Sequence, residues 1–430
     1  MNYKVRHVEQ RLRLMAQHFK VILVIGARQT GKSTLLKHVF PDVPLITFDQ
    51  YSDNYGAATD PELFVRTHPS PIILDEVQYV PGLMAVLKRT VDQSEAMGQY
   101  FLTGSHHIGL MKNASIEGMT GRIGIIDLEH MTPFEYESAF SFDGGMQVPP
   151  TWLEMYLQEP ESLVKRFSRV ADVYDPAQLL WRGGFPMALA QPAPLVSDYF
   201  ASYLRMYLER DVAFAAPGAP SPLFNRFVAM MAASTAQEIN QEKIMKLLGI
   251  TRGTFLTWIE LLIKTYQWRE LLPYSGNLMR RVSQRGKGHF TDTGLAAYLQ
   301  GVRDFETLSA HPASGALFES YCVNLIFAMM SGLYHRPAAY HWRTYAGAEV
   351  DLVLQMNGIL YPIEFKFSTT ISGHDARGIE AFRQAHMQAE QQGESVDRVG
   401  HGLIVYVGQR AYQLSERVTV IPFNALMRRA

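Results

Sequence analysis

Two sets of residues have the types and the spacing to handle phosphate and divalent metal. The first opens at Gly26-Ala27-Arg28-Gln29-Thr30-Gly31-Lys32-Ser33, which has the spacing G-x-x-x-x-G-K-S. Its glycines let the backbone curl so that its N–H groups point inward at the β- and γ-phosphates of a nucleotide. Lys32 is placed to reach those phosphates and Ser33 to offer its hydroxyl to Mg²⁺. Gly26, Gln29, Thr30, Gly31, Lys32, Ser33 and Thr34 are therefore the expected contacts of a bound ATP. The apolar run Ile72-Ile73-Leu74 ends in Asp75-Glu76. Ligand groups collect at the carboxyl ends of parallel strands. Asp75 is expected to hold Mg²⁺ through water, and Glu76 to polarise the attacking water as general base. A further strand, 99–103, ends in Thr103-Gly104-Ser105, where Thr103 or Ser105 can stand between the γ-phosphate and that water.

The second set lies near the other end of the chain. Gly347–Leu354 and Ile359–Lys366 read as two strands joined by Asn357-Gly358, a strong hairpin turn. With a side-chain period of two, Glu349 and Asp351 share one face, and so do Glu364 and Lys366. Pairing of the strands can bring Asp351, Glu364 and Lys366 together. Two carboxylates and the Phe365 carbonyl would bind Mg²⁺ through hard oxygens, and Lys366 would orient or deprotonate a water. Glu319, from the helix that follows Leu317, can complete the cluster. An exposed polar sheet face, an inactive fold, and a site that binds DNA ends without cutting are the competing readings.

The elements that must position these residues follow from the patterning. A helix over residues 3–18 precedes the strand Val21–Ile25; strands at 44–49, 72–78, 99–103 and 123–128 alternate with helices, which argues a doubly wound α/β sheet. Residues 151–212 read mostly as helices, and the Ala-, Pro- and Gly-rich run 213–222 as a linker. Gly249 ends one amphipathic helix and Thr251 caps the next, a helix-turn-helix spacing. Two strand-like pieces around Ser275-Gly276-Asn277 carry Arg280, Arg281, Arg285 and Lys287, which makes a winged helix with a basic wing. Such a wing would contact the DNA backbone; the alternative is a winged helix used for packing between domains.

The bounds are broad. The chain has 430 residues, 47% hydrophobic and 19% charged, with a formal net charge of −1, so any basic surface is local. A single cysteine, Cys322, makes neither an internal disulfide nor a zinc cluster and is expected to be a buried thiol. No apolar run approaches membrane-spanning length, and a cytoplasmic protein with no membrane partner is the expectation.

Gly26–Ser33, Leu74-Asp75-Glu76-Val77-Gln78, Leu102-Thr103-Gly104-Ser105 and Gly121-Arg122, with Gly183-Gly184-Phe185-Pro186 further on, resemble a prokaryotic family of AAA-plus-type ATPases. Its members carry a C-terminal domain of unknown function. The resemblance implies that Thr103 and Ser105 belong to the sensor-1 strand. It also implies that Arg122 is an arginine near the nucleotide, acting as a finger in cis or from a neighbouring copy in a homo-oligomer, and that a helical lid packs over the nucleotide. The C-terminal strand pair resembles the PD-(D/E)XK fold of restriction endonucleases and Holliday-junction resolvases, with Val350 in place of the proline before Asp351.

The expected organisation is a P-loop NTPase core (residues 1–140), a helical lid (141–215), a winged helix (216–305) and a restriction-endonuclease-like α/β domain (306–430). The expected function is ATP binding and hydrolysis coupled to DNA binding or processing. The alternative is a nucleotide-dependent switch or assembly module whose nuclease-like domain is inactive.

Overall fold

A computed structural model of the chain describes residues 3–49, 52–53, 55–105, 119–137, 150–171, 173–213, 216, 222–275, 285–392 and 397–427. The loop expected at 141–150 (save its last residue), most of the 213–222 linker, the turn at Gly276-Asn277, and Arg280 and Arg281 lie outside these residues.

Strands β1 (Val21–Ile25), β2 (Leu45–Thr47), β3 (Ile72–Asp75), β4 (Tyr100–Gly104) and β5 (Ile123–Asp127) form one parallel sheet of order β2-β3-β4-β1-β5. The interior strand β1 is buried throughout, as its unbroken apolar run demands. Its side chains divide between two cores. Val21, Leu23 and Ile25 pack with Phe64, Leu83 and Leu87 from the helices Pro61–Thr67 and Leu83–Asp92. Ile22 and Val24 face the other way, into Leu12, Leu35 and Leu36 of Glu9–Ala16 and Lys32–Val39. Helices thus cover both faces, and the doubly wound arrangement stands. The helix expected over 3–18 is shorter, Glu9–Ala16, because Tyr3–Arg6 run irregularly along the phosphate loop.

The middle of the chain is helical up to Ala233, with a π-helical segment at Tyr207–Val212. The expected pair of helices is present at Gln241–Leu248 and Arg252–Lys264. Gly249 takes a left-handed conformation between them, and the Thr251 hydroxyl accepts from Thr254 N at the second N-terminus. They are flanked by the strands of a three-stranded antiparallel sheet, β6 (Gln237–Glu238) before them and β7 (Trp268–Leu271) and β8 (Lys287–Phe290) after, in the order β6-β8-β7.

The C-terminal part holds a seven-stranded mixed sheet. Strands β9 (Ala338–Arg343), β10 (Glu349–Met356) and β11 (Ile359–Lys366) are antiparallel. Asn357 and Gly358 both have positive φ, as the tight hairpin requires. Beyond β11, β13 (Gly402–Tyr406) and β15 (Val418–Pro422) run parallel to it, reached through the helix Arg377–Gln391, with β12 (Arg398–Val399) beside β11 and β14 (Tyr412–Ser415) at the edge. The largest apolar cluster runs without a break from Trp152 to Met427, so the helical, three-stranded and C-terminal parts share one core. Cys322 is buried in it, as expected. Among the described residues no helix is long and apolar enough to cross a membrane.

Candidate nucleotide site and a buried acidic cluster

The phosphate loop begins where β1 ends. A Cβ on Gly26 would lie 2.3 Å from the Leu128 carbonyl oxygen, so only glycine lets the loop leave the sheet this close to β5. Gly31, at φ 96°, turns the chain into the helix Lys32–Val39, which starts beneath an open cavity of ≈ 520 Å³. Gln29, Thr30, Gly31, Lys32, Ser33, Thr34 and Glu76 line it. The Lys32 ammonium is buried and donates to the carbonyls of Gly26 (3.1 Å) and Ala27 (2.9 Å). Burial holds Lys32 below the usual lysine range, against the pull of Glu76, Asp75 and Asp211.

The strand-end residues lie together. The Ser33 hydroxyl donates to Asp75 Oδ1 at 2.6 Å, and the hydroxyls of Thr103 and Thr47 also donate to this carboxylate. Two oxygen donors from different elements so close together fit a hard cation with Ser33 and Asp75 in its sphere. The Glu76 carboxylate accepts from Ser105 Oγ (2.8–2.9 Å) and Gln78 Nε2, while Glu76 N donates to Thr103 Oγ1 (3.0 Å). Burial pushes the Glu76 carboxyl up, but Lys32, the Gln78 and Ser105 bonds and Arg28 outweigh it and leave it below its usual value. It is therefore ionised at neutral pH, the state a general base needs.

Arg122 does not join them. It precedes β5, whose first residue pairs with Val21, whereas the phosphate loop follows Ile25 at the far end of the same strand. Five strand residues separate the two ends by about 16 Å. Arg122 ion-pairs with Asp92 there, so it is no finger for the nucleotide site of its own chain.

Other residues carry positive charge to the loop instead. Arg28 pairs with the buried Asp211 of the π-helical segment at 2.9 Å, and Tyr199 OH donates to Gln29 Oε1 at 2.9 Å, so two helical elements from beyond residue 190 close on the loop. Arg6, buried, donates to Thr30 O (2.8 Å) and Glu129 O (2.7 Å) and pairs with Glu135. Arg28 sits at a variable position of the loop pattern, and Arg6 and Asp211 are isolated charges in the sequence, so no spacing pointed to them. Gly183-Gly184 also acquires a physical role. Gly184 N donates to Asp292 Oδ2 at 2.7 Å, and a Cβ on Gly183 would lie 2.3 Å from Asp292 Oδ1. The two glycines make room for the carboxylate that caps the helix Thr293–Leu299.

The second set of residues also meets. Asp351 accepts from Phe365 N at 2.9 Å, and Lys366 Nζ donates to Glu364 Oε2 at 2.7 Å. Burial and the neighbouring Asp351 charge push Glu364 well up, and Gly378 packs so near that a Cβ there would stand 2.3 Å from Glu364 Oε1. Glu319 is there too, as are Glu349 and an unforeseen partner. Lys287 Nζ contacts Glu319 Oε1 at 2.5 Å, Glu349 Oε1 at 2.6 Å and Asp351 Oδ1 at 3.1 Å. This corrects the expectation for Lys287. It is not on an exposed basic wing but 3% exposed, at the start of β8, inside the acidic cluster. The cluster is no exposed polar sheet face either, with Asp351 6% and Glu364 3% exposed. Glu319, Glu349 and Asp351 offer oxygens all within 4.8 Å of one another, which fits a divalent cation; the expected ligand Glu364 is not one of the three and is bonded to Lys366.

Comparison with known proteins agrees with the N-terminal architecture. Residues 18–137 match the family model described as an AAA domain; residues 174–306 and 314–426 each match a domain of unknown function (DUF8612 and DUF4143). Uncharacterized proteins of Mycobacterium tuberculosis and Mycobacterium bovis are each 26% identical over 426 residues, covering 98% of this chain and 84% of theirs. Among solved structures, a Walker-type ATPase of Pyrococcus abyssi is 14% identical and covers 70% of this chain and 99% of its own (TM-score 0.40). The Thermotoga maritima RuvB Holliday junction branch migration motor is 13% identical and covers 61% and 88% (TM-score 0.28).

Proposed function

We propose that this AAA-type P-loop protein binds and hydrolyses ATP, and that its nucleotide state governs a C-terminal unit acting on DNA. One observation carries the first half: Lys32, Ser33 and Glu76 line one open cavity, with Asp75, Thr103 and Ser105 hydrogen-bonded behind Ser33 and Glu76, and Glu76 is ionised. Mg²⁺, held by Ser33 and Asp75, would neutralise charge on the phosphates. Glu76 accepts the proton of the attacking water, and Thr103 and Ser105 hold Glu76 in place. Arg6, which lines the cavity, and Arg28, whose charge acts on Glu76, are arginines that its own chain brings to this site; a role for Arg122 requires a second copy.

Coupling to the rest of the molecule is supported by continuous contact. Arg6 links Thr30 of the phosphate loop to Glu129 O, and the Glu129 carboxylate pairs with Arg269 of β7 at 2.6 Å. Strand β7 pairs with β8, which carries Lys287 into the acidic cluster. We read the helices 222–264 and the sheet β6-β8-β7 as a winged helix and the unit from residue 306 onward as a PD-(D/E)XK-like domain, in which Glu319, Glu349 and Asp351 offer the metal ligands and Lys366, paired with Glu364, serves the attacking water. The occlusion of this cluster by Lys287 favours a second reading, a nucleotide-dependent switch that binds DNA or protein without cutting it. The test is the steady-state ATPase rate with and without linear, branched and single-stranded DNA. Stimulation by DNA supports coupling; a rate that DNA leaves unchanged removes DNA as the partner.

A further inference from the structure

We propose that Glu319, Glu349 and Asp351 form a divalent-cation site whose centre is held by the Lys287 ammonium, so that metal enters only when this side chain leaves the cluster. The inference rests on reading the C-terminal unit as a metal-using domain, and it names what keeps that unit closed.

Lys287 lies within 2.5 to 3.1 Å of one oxygen from each carboxylate, the place a shared cation takes. The three acids come from the C-terminal unit, on the helix Ser314–Gly332 and on β10; the lysine comes from the separate sheet β6-β8-β7. Lys287 is the one ammonium or guanidinium that reaches all three acids among the described residues. Arg343 reaches only Glu349 from the rim, at 3.8 Å and half exposed. Lys366 is engaged by Glu364. A buried ion cluster of this kind is a poor device for stability, since apolar residues of the same volume often serve as well or better.

A second feature points to a ligand. His289 lies two residues further along β8, on the same face as Lys287. It is fully buried, its Nδ1 is paired with Ser320 Oγ at 3.0 Å, and its Nε2 has no hydrogen-bond partner among the described residues. That nitrogen faces Glu319 Oε1 at 3.9 Å. Carboxylate oxygens suit a hard divalent ion such as Mn²⁺, and an added imidazole opens the site to other first-row divalent ions. The chain just beyond β7, the partner of β8, is bonded to β9 of the C-terminal sheet, Tyr274 N to His341 O (2.6 Å) and His341 N to Leu272 O (3.1 Å).

The test is Mn²⁺ binding to the full chain without nucleotide, followed by the loss of the free-ion paramagnetic resonance signal. Lys287→Met is expected to gain one Mn²⁺ site at least about tenfold tighter than any in the wild type. Lys287→Met/Asp351→Asn is expected to lose it. Lys287→Gln, which keeps a hydrogen-bond donor in the cage, provides the same comparison if the Met variant does not fold. In either variant Mn²⁺ is expected to raise the melting temperature more than in the wild type, which loss of a merely structural lysine would not produce. No new site in either variant, or a wild-type chain that already binds Mn²⁺ at this cluster as tightly, overturns the proposal. DNA cleavage is scored separately: a variant that binds Mn²⁺ and cuts no DNA leaves the plug standing and removes the nuclease reading.

Discussion

Lys32→Met separates a residue held for ligand from one held for the fold. In the structure the ammonium is buried and bonded to two backbone carbonyls, yet burial still keeps its pKa below the usual lysine value. The charged form is therefore disfavoured in the fold relative to the unfolded chain, and its compensation must come from a bound anion. Charge-assisted bonds to phosphate contribute about 1.5–3 kcal/mol each. Losing one or two of them weakens ATP binding by about 2–5 kcal/mol, or roughly 30-fold to several thousand-fold. At a ligand concentration about 100 times the wild-type Kd, the wild type gains about 2.7 kcal/mol of stability, whereas a variant weakened 100-fold gains only about 0.4 kcal/mol. Urea unfolding with and without MgATP measures both numbers. The sign for pH is also fixed. A lysine whose folded pKa is depressed costs stability at neutral pH, and the cost disappears as pH rises toward the unfolded value near 10.4. The variant without nucleotide should thus be no less stable than the wild type at pH 7, with the gap narrowing at higher pH. Full MgATP stabilisation of Lys32→Met, or a nucleotide-free variant several kcal/mol less stable, would refute the reasoning.

Two further outcomes follow from particular contacts. Gly288→Ala places a Cβ 1.8 Å from Trp268 Cζ2, between strands β7 and β8, and should cost about 1–3 kcal/mol or more by overpacking; a lowered urea midpoint with altered tryptophan fluorescence is the readout. Burial raises Asp292 to about 6, against about 3.9 unfolded, so its contribution to stability is complete below about pH 4 and is lost as pH rises through 6. Asp292→Asn has no such titration, and between pH 4 and pH 7 its stability should gain on the wild type by about 3 kcal/mol; parallel pH profiles would contradict this.

The phosphate loop and its sheet were legible because each signal is local. The loop is contiguous, and the strands that end in Asp75 and Thr103 are short apolar runs whose termini place the acids without further information. The pairing of Asp351, Glu364 and Lys366 was legible because a two-residue hairpin fixes register. What escaped were contacts between distant elements. Lys287 reads as one more basic residue on a wing until β8 is seen to lie against Glu319 and Asp351. Arg122 stands near the nucleotide only by resemblance to the ATPase family, and the parallel register with β1 shows that it lies at the opposite end of the sheet from the phosphate loop. Arg6, Arg28 and Asp211 meet the loop through tertiary packing that no periodicity encodes.

The central claim, that this loop turns ATP over with Glu76 as base, is tested most directly by ATP hydrolysis and ATP binding measured side by side for the wild type and Glu76→Gln. The amide keeps the size of the side chain and can still bond Ser105, but it cannot take a proton. The account predicts that turnover falls by about 10²–10⁴-fold while the Kd for ATP stays within a few-fold of the wild type. Turnover by Glu76→Gln at the wild-type rate would contradict it.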